Sequence, residues 1–145
     1  MGAAESLPQD RIVCITSKFG KESDKGPYYT ENIANDTNNN MAYRRVVWTS
    51  PNLMQMVFMS IAPLGEIPKE LHPRTDQFIR IETGEGEAII DGKRYLLKDD
   101  SAVIVPAGAE HRIVNTSDSE ALKLYTIYSP QQHRPSTLEW TPEEE

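Results

Sequence analysis

The sequence predicts an all-β sandwich or barrel. Three observations carry that expectation: turn residues recur at intervals of about ten positions from Tyr43 to Tyr128, strand-length apolar or alternating runs lie between them, and there is almost no helical period. A helix is expected only near the ends.

Met1 to Asp10 carry little that can be buried and read as a loose arm. Arg11 to Phe19 is suited to a short strand. Within it, Ile12-Val-Cys-Ile-Thr16 makes Cys14 a packed thiol rather than a reactive one. From Gly20 to Asn40 the composition turns polar and ends in Asn35-Asp-Thr-Asn-Asn-Asn40, too little apolar surface to offset the entropy of ordering, so loop or linker is expected. Residues 1–42 are thus expected to form a flexible polar N-terminal arm, 43–130 the barrel and 131–145 a tail with a solvated acidic end.

In the barrel, Tyr43 to Thr49 holds Val46, Val47 and Trp48, and Leu53 to Ile61 is apolar toward nearly both faces, as expected of a strand covered on two sides. Pro63-Leu-Gly65 stops it. Gln77 to Glu82 alternates, with Gln77, Ile79 and Ile81 on one face and Phe78, Arg80 and Glu82 on the other. Gly84-Glu-Gly86 breaks the chain as a turn. Glu87 to Ile90 and Lys93 to Leu97 flank Asp91-Gly92, a strong hairpin signal. Ala102 to Val105, His111 to Asn115 and Leu122 to Tyr128 complete the strands. No internal repeat is present.

At 145 residues the chain is long enough for one good core. Its net charge of −7 argues against nucleic acid or an anionic membrane surface as partner, since both need basic protein surface. No apolar run approaches the ~18 residues of a membrane span. Met1 to Arg11 lacks the basic start and apolar core of a secretion signal, and one cysteine excludes an internal disulfide framework. A cytoplasmic protein is expected.

Chemistry concentrates between Gly65 and Asn115. Glu70 and His72 are two apart, so an extended strand points both to one face. His111 lies in a second extended segment, just past Pro106-Ala-Gly108. Two imidazoles and a carboxylate converging from two strands make a metal site of the two-His-one-carboxylate kind. Taken singly, each histidine is more often a hydrogen-bonded structural residue; the joint spacing lifts the metal reading above that. Gln77 is either a further ligand, through its amide oxygen, or a group that orients one. Asn115 is expected to satisfy backbone groups, Glu110 to point away from His111 by strand parity, and His133 to be exposed, as are Arg80 and Lys123. Trp48 and Phe58 read as core or dimer-face residues.

These two blocks resemble the paired motifs of the cupin superfamily, small jelly-roll β-barrels. Pro106, Gly108, His111 and Asn115 match the family's second block, with Asp100 where a Gly usually opens it. The first block matches in spacing more than identity: the positions of the family's His-x-His, Glu and Gly hold Glu70, His72, Gln77 and Gly84. Two of the four usual ligands therefore differ in type, but the carboxylate has moved to position 70 and a neutral amide stands at 77. Three neutral ligands and one carboxylate remain, leaving a bound divalent ion the same net charge.

The resemblance is to small single-domain, type-2 cupins often described as mannose-6-phosphate-isomerase-like. It implies a divalent transition metal (Fe, Mn, Ni, Co or Zn) held by Glu70, His72, Gln77 and His111, a small-molecule ligand, and a homodimer. The function implied is dioxygenase-like or sugar isomerase- or epimerase-like chemistry on a small polar organic molecule. Two alternatives stand beside it: a non-catalytic binding module whose metal is structural or absent, and an oligomeric interaction module. No residue stands out as a separate general base, and no basic cluster is aimed at a phosphate.

Overall fold

The computed structural model describes residues 21–23 and 26–144. The expected arm over Met1–Asp10, the strand over Arg11–Phe19 and the packing of Cys14 lie outside the described residues. The elements are β1 (Lys21–Glu22), α1 (Ile33–Asn39), β2 (Arg44–Ser50), β3 (Met54–Ile61), β4 (Glu66–Leu71), β5 (Asp76–Thr83), β6 (Gly86–Ile90), β7 (Lys93–Leu97), β8 (Ala102–Val105), β9 (Glu110–Asn115), β10 (Leu122–Ser129) and β11 (Leu138–Glu139). They form two sheets, one in the order β1-β2-β3-β10-β5-β8 with β11 also paired to β2, the other β4-β9-β6-β7. This is a jelly-roll sandwich, in agreement with the expected all-β class.

The main core lies between the sheets, with Val57, Ile79, Ile81 and Leu124 from the larger and Ile67, Ala88 and Ile113 from the smaller all at or near full burial. Burying each of the Val, Ile and Leu side chains contributes about 1.5–3 kcal/mol. The twofold apolar character of β3 has a physical cause. Its inward residues, Val57, Met59 and Ile61, join that core, whereas Met56 and Phe58 face outward into a second cluster with Val47, against which Tyr28 and Ile33 pack.

That outer cover changes the reading of the polar run before residue 40, which was expected as a loop. It contains α1, seven residues long, opened by Asn32, whose side chain accepts from the Asn35 N–H at 3.0 Å. A helix this short is unstable alone. Ile33 against the Phe58 cluster and Tyr28, whose ring meets Phe58 edge-on at 6.4 Å, hold it in place.

The Asp91-Gly92 hairpin forms as expected between β6 and β7, with both turn residues at positive φ, as a type I′ turn requires. Asn115 is fully buried and serves the backbone: its Nδ2 donates to the carbonyls of Ile61 (3.0 Å), Ala62 (3.2 Å) and Glu120 (2.8 Å), and its Oδ1 accepts from the Ser117 N–H at 2.9 Å. Asn115→Ala is expected to cost about 2–4 kcal/mol, because it strands buried acceptors. Asn115→Asp should cost more, since it sets a carboxylate oxygen against carbonyl oxygens; chemical denaturation of the three proteins checks the order.

Candidate metal centre

The two sheets bring different polar rows to one end of the sandwich. In the smaller sheet, Glu70 of β4 lies directly opposite His111 of β9, which in turn pairs with Ile90 of β6. In the larger sheet, the cross-strand row Thr49–Gln55–Tyr128–Gln77–Val105 runs across β2, β3, β10, β5 and β8. Cross-strand partners share a face, and every member of this second row is buried.

β4 is an edge strand, which is why it tolerates Pro68. Its register against β9 shifts between Ile67 and Glu70, and beyond that irregularity Glu70 and His72 come to the same place as His111. One ligand atom from each of Glu70, His72 and His111 lies within 4.8 Å of the others. His72 Nε2 is 3.8 Å from Glu70 Oε2, and the two imidazole rings are 5.1 Å apart, centre to centre. A separation of 3.8 Å is too long for a hydrogen bond but suits two atoms sharing an ion at about 2.1 Å from each.

Whether these residues suit a metal is decided by their unused lone pairs. His111 Nδ1 donates to the Ala109 carbonyl at 3.1 Å, which fixes the tautomer and leaves the lone pair on Nε2. That Nε2 is buried and has no hydrogen-bond partner; the same holds for His72 Nε2 and for Gln77 Oε1. The Gln77 amide is oriented by its Nε2, which donates to Thr126 Oγ1 at 3.0 Å, so its oxygen is left as the free acceptor. Buried acceptors without donors are costly, and a cation beside the Glu70 carboxylate is the partner that would satisfy both imidazoles. Burial, with His111 beside it, holds the His72 imidazole below its ordinary pKa and so in the neutral, ligating form. The residues fit a divalent metal.

Other expectations sort by the geometry. Glu110 points outward and faces Lys69 at 3.6 Å. Arg80 is engaged by Asp100 at 2.8 Å. Lys123 differs from the solvated charge expected of it: its Nζ donates to the Asn40 carbonyl, and partial burial lowers its pKa.

His133 also differs from its expected exposure. After β10 the chain turns back across the end of the larger sheet, and Gln55 grips residue 133 by both backbone groups: Oε1 accepts from its N–H at 3.1 Å and Nε2 donates to its carbonyl at 2.7 Å. The ring meets Tyr128 edge-on at 5.3 Å, Tyr128 meets His72 at 5.8 Å, and His133 Nε2 is buried without a hydrogen-bond partner. The sequence around Gln131-Gln-His133 carries no signal of this, because the contact is made by a side chain 78 positions away.

Burial first, then the nearby Arg44 charge, push the His133 pKa down to about 3. The unfolded chain takes up this proton near pH 6.5 and the folded chain does not. The unfolded state therefore binds more protons between those values, and stability falls as the pH falls through that window. The slope is at most about 1.4 kcal/mol per pH unit, less for residual solvent contact. A His133→Phe variant should lose this component, so that the Tm gap between wild type and variant shifts in favour of the variant from pH 7 to pH 5.

A double-sheet β-sandwich with a histidine–carboxylate cluster at one end is the architecture of a small barrel with a metal-type site in its mouth. Comparison with known proteins gives the lineage: residues 57–128 match the family model described as a cupin domain, and the chain belongs to the cupin family. It is 41% identical over 121 residues to an uncharacterized protein of Acanthamoeba polyphaga mimivirus, covering 81% of this chain and 74% of that one. It is 38% identical over 125 residues to the uncharacterized protein YrkC of Bacillus subtilis, covering 81% of this chain and 66% of the relative. The crystal structure of BH2720 from Bacillus halodurans superposes with a TM-score of 0.76 at 36% identity, covering 81% of this chain and 92% of that one. Among the described residues, no helix is long and apolar enough to cross a membrane.

Proposed function

We propose that this cupin is a metal-dependent enzyme acting on a small polar organic molecule, with Glu70, His72 and His111 as ligands of a divalent transition ion and Gln77 as the fourth. The observation that carries this reading is the pair of buried, unpartnered nitrogens on His72 and His111 beside the Glu70 carboxylate, with Gln77 Oε1 also buried and unpartnered. Nitrogen and oxygen donors without sulfur suit Fe(II), Mn(II), Ni(II), Co(II) or Zn(II). When bound, such an ion supplies Lewis-acid polarisation of a substrate oxygen or a place to hold O₂.

The chain's own groups do the rest. The Ala109 carbonyl holds the His111 ring, Thr126 holds the Gln77 amide, and the buried row of the larger sheet gives this end of the sandwich a polar character. A sugar phosphate is not favoured, because Arg80 and Lys123 are occupied by Asp100 and Asn40. Assembly as a homodimer and residence in the cytoplasm belong to the same proposal, with exposed Met41, Leu53 and Trp140 offering apolar surface for pairing.

Elemental analysis of protein purified without added metal, followed by turnover assays of the loaded protein against hydroxy- and keto-compounds, tests the reading. Metal without turnover would favour a binding module. Gln77→Glu gives a finer check: an added carboxylate should tighten metal binding by about 10-fold or more if residue 77 touches the ion. Unchanged affinity, measured by competition with a chelating dye, would make Gln77 an orienting group only.

A further inference from the structure

Four side chains among the described residues carry a buried ring or amide acceptor position without a hydrogen-bond partner at this end of the molecule: His72, Gln77, His111 and His133. The first three are accounted for by the metal centre. His133 is not, since it does not belong to the group of potential ligands formed by Glu70, His72 and His111. An unpaired nitrogen in such a place is unfavourable, and the fold nevertheless holds it there with several independent attachments.

Those attachments are made by the C-terminal strap, residues 130–139. Thr75 Oγ1 donates to the Pro130 carbonyl at 3.1 Å, the Asn52 N–H donates to Gln131 Oε1 at 2.7 Å, and Gln55 holds residue 133 by both backbone groups. Further on, β11 pairs with β2, and Glu139 forms an ion pair with the buried Arg44. The strap thereby fixes the His133 ring against Tyr128, which also meets the His72 ring edge-on. Tyr128 stands in the buried row between Gln55 and Gln77, so the ring sits on the metal-centre end of the larger sheet and not on its outer face.

We infer that His133 is a ligand-contacting residue at this end of the sandwich, brought there by the strap to hydrogen-bond a hydroxyl or carbonyl oxygen of a small polyoxygenated molecule bound beside the Glu70–His72–His111 centre. The ligand class follows from the surroundings. Thr49, Gln55, Thr75, Gln77 and Thr126, all at or near full burial, make this end of the sandwich polar, with hydrogen bonds that run to one another and to the strap, a setting suited to an oxygen-rich chain rather than a hydrocarbon. The imidazole is uncharged at neutral pH, since burial and Arg44 hold it far below its ordinary pKa. Its buried, unpartnered nitrogen, Nε2, is uncharged and donates or accepts according to tautomer, which suits hydroxyls and carbonyls rather than the charge of a carboxylate. The contact deepens the metal-enzyme proposal and rests on it.

The test compares Mn(II)-loaded wild type with His133→Phe, which keeps a ring against Tyr128 and removes both nitrogens. The probes are hydroxy acids of increasing length, glycerate, threonate and gluconate, with lactate as the member that chelates the metal but has no further hydroxyl. Expected are equal metal content in the two proteins, equal lactate affinity, and a loss of about 10-fold in the affinity of at least one longer probe, the worth of one buried hydrogen bond. His133→Gln, which retains a donor and an acceptor, should recover part of that loss. If the wild type and His133→Phe bind all four acids alike while both hold metal, the His133 contact is wrong and the metal site stands. If the wild type holds no metal after loading, the underlying reading fails, and elemental analysis of the same batch shows which of the two has failed.

Discussion

Elemental analysis is expected to find metal at a stoichiometric level in the wild type and only at background in His111→Ala, with His72→Ala close to it. The expected loss of affinity is at least about 100-fold for either substitution, because removing a group that merely orients a ligand already costs 10- to 100-fold. The two variants should differ from ordinary core truncations in a second way. In the metal-free protein, His111 Nε2 and His72 Nε2 are buried acceptors with no partner, so deleting either ring removes an electrostatic penalty along with some packing. Metal-free variants should therefore lie closer to the metal-free wild type in stability than the loss of buried rings suggests. Added metal should then raise the wild-type Tm alone, since a ligand present at a hundred times its dissociation constant adds about 2.7 kcal/mol. A Tm rise of equal size in wild type and both variants would place any bound metal elsewhere on the molecule.

Glu70 and Gln77 stand where the resemblance to the family's first block fails in residue type, yet the placement of Glu70 was legible. The placement of Glu70 and His72 followed from strand parity, and their meeting with His111 followed from the joint spacing of the two blocks. Both are properties that a one-dimensional sequence retains, as are the Asp91-Gly92 turn and the alternation of β5. Less could be read where a local segment takes its conformation from something distant. The polar run containing α1 has a helix because the outer face of β2 and β3 offers Val47, Met56 and Phe58 to be covered; nothing in its own composition demands one. The strap behaves alike. Residues 130–139 look like solvated tail until Gln55, Arg44 and Thr75, each more than fifty positions away, supply their partners. Lys123 belongs in the same category, its charge directed to a carbonyl 83 residues distant. Long-range pairing of this kind leaves no periodicity to detect.

Gly86→Ala is expected to be the most damaging of the single-methyl additions, and for a reason other than turn geometry. Residue 86 was expected as a turn glycine, and instead it opens β6, paired with Asn115 and Leu97. A Cβ there would stand 2.2 Å from the Val114 carbonyl oxygen, with Leu122 Cδ2 at 3.2 Å. The first contact is to the backbone of β9, so no rotamer change relieves it; one strand must move away from the other. Because β9 carries both His111 and the Asn115 network, the displacement reaches the centre and the carbonyls of Ile61, Ala62 and Glu120 together. A loss of roughly 3 kcal/mol or more follows from overpacking of this severity. Gly92 supplies the internal contrast. Its φ is +83° and nothing lies within 4 Å of its added Cβ, so Gly92→Ala meets only the left-handed backbone penalty of about 1 kcal/mol. Chemical denaturation of the two variants side by side reads the difference directly, and metal content of any folded Gly86→Ala protein reports whether β9 has moved. Equal destabilisation of the two would mean that the sheet yields at Val114 far more easily than a paired central strand should.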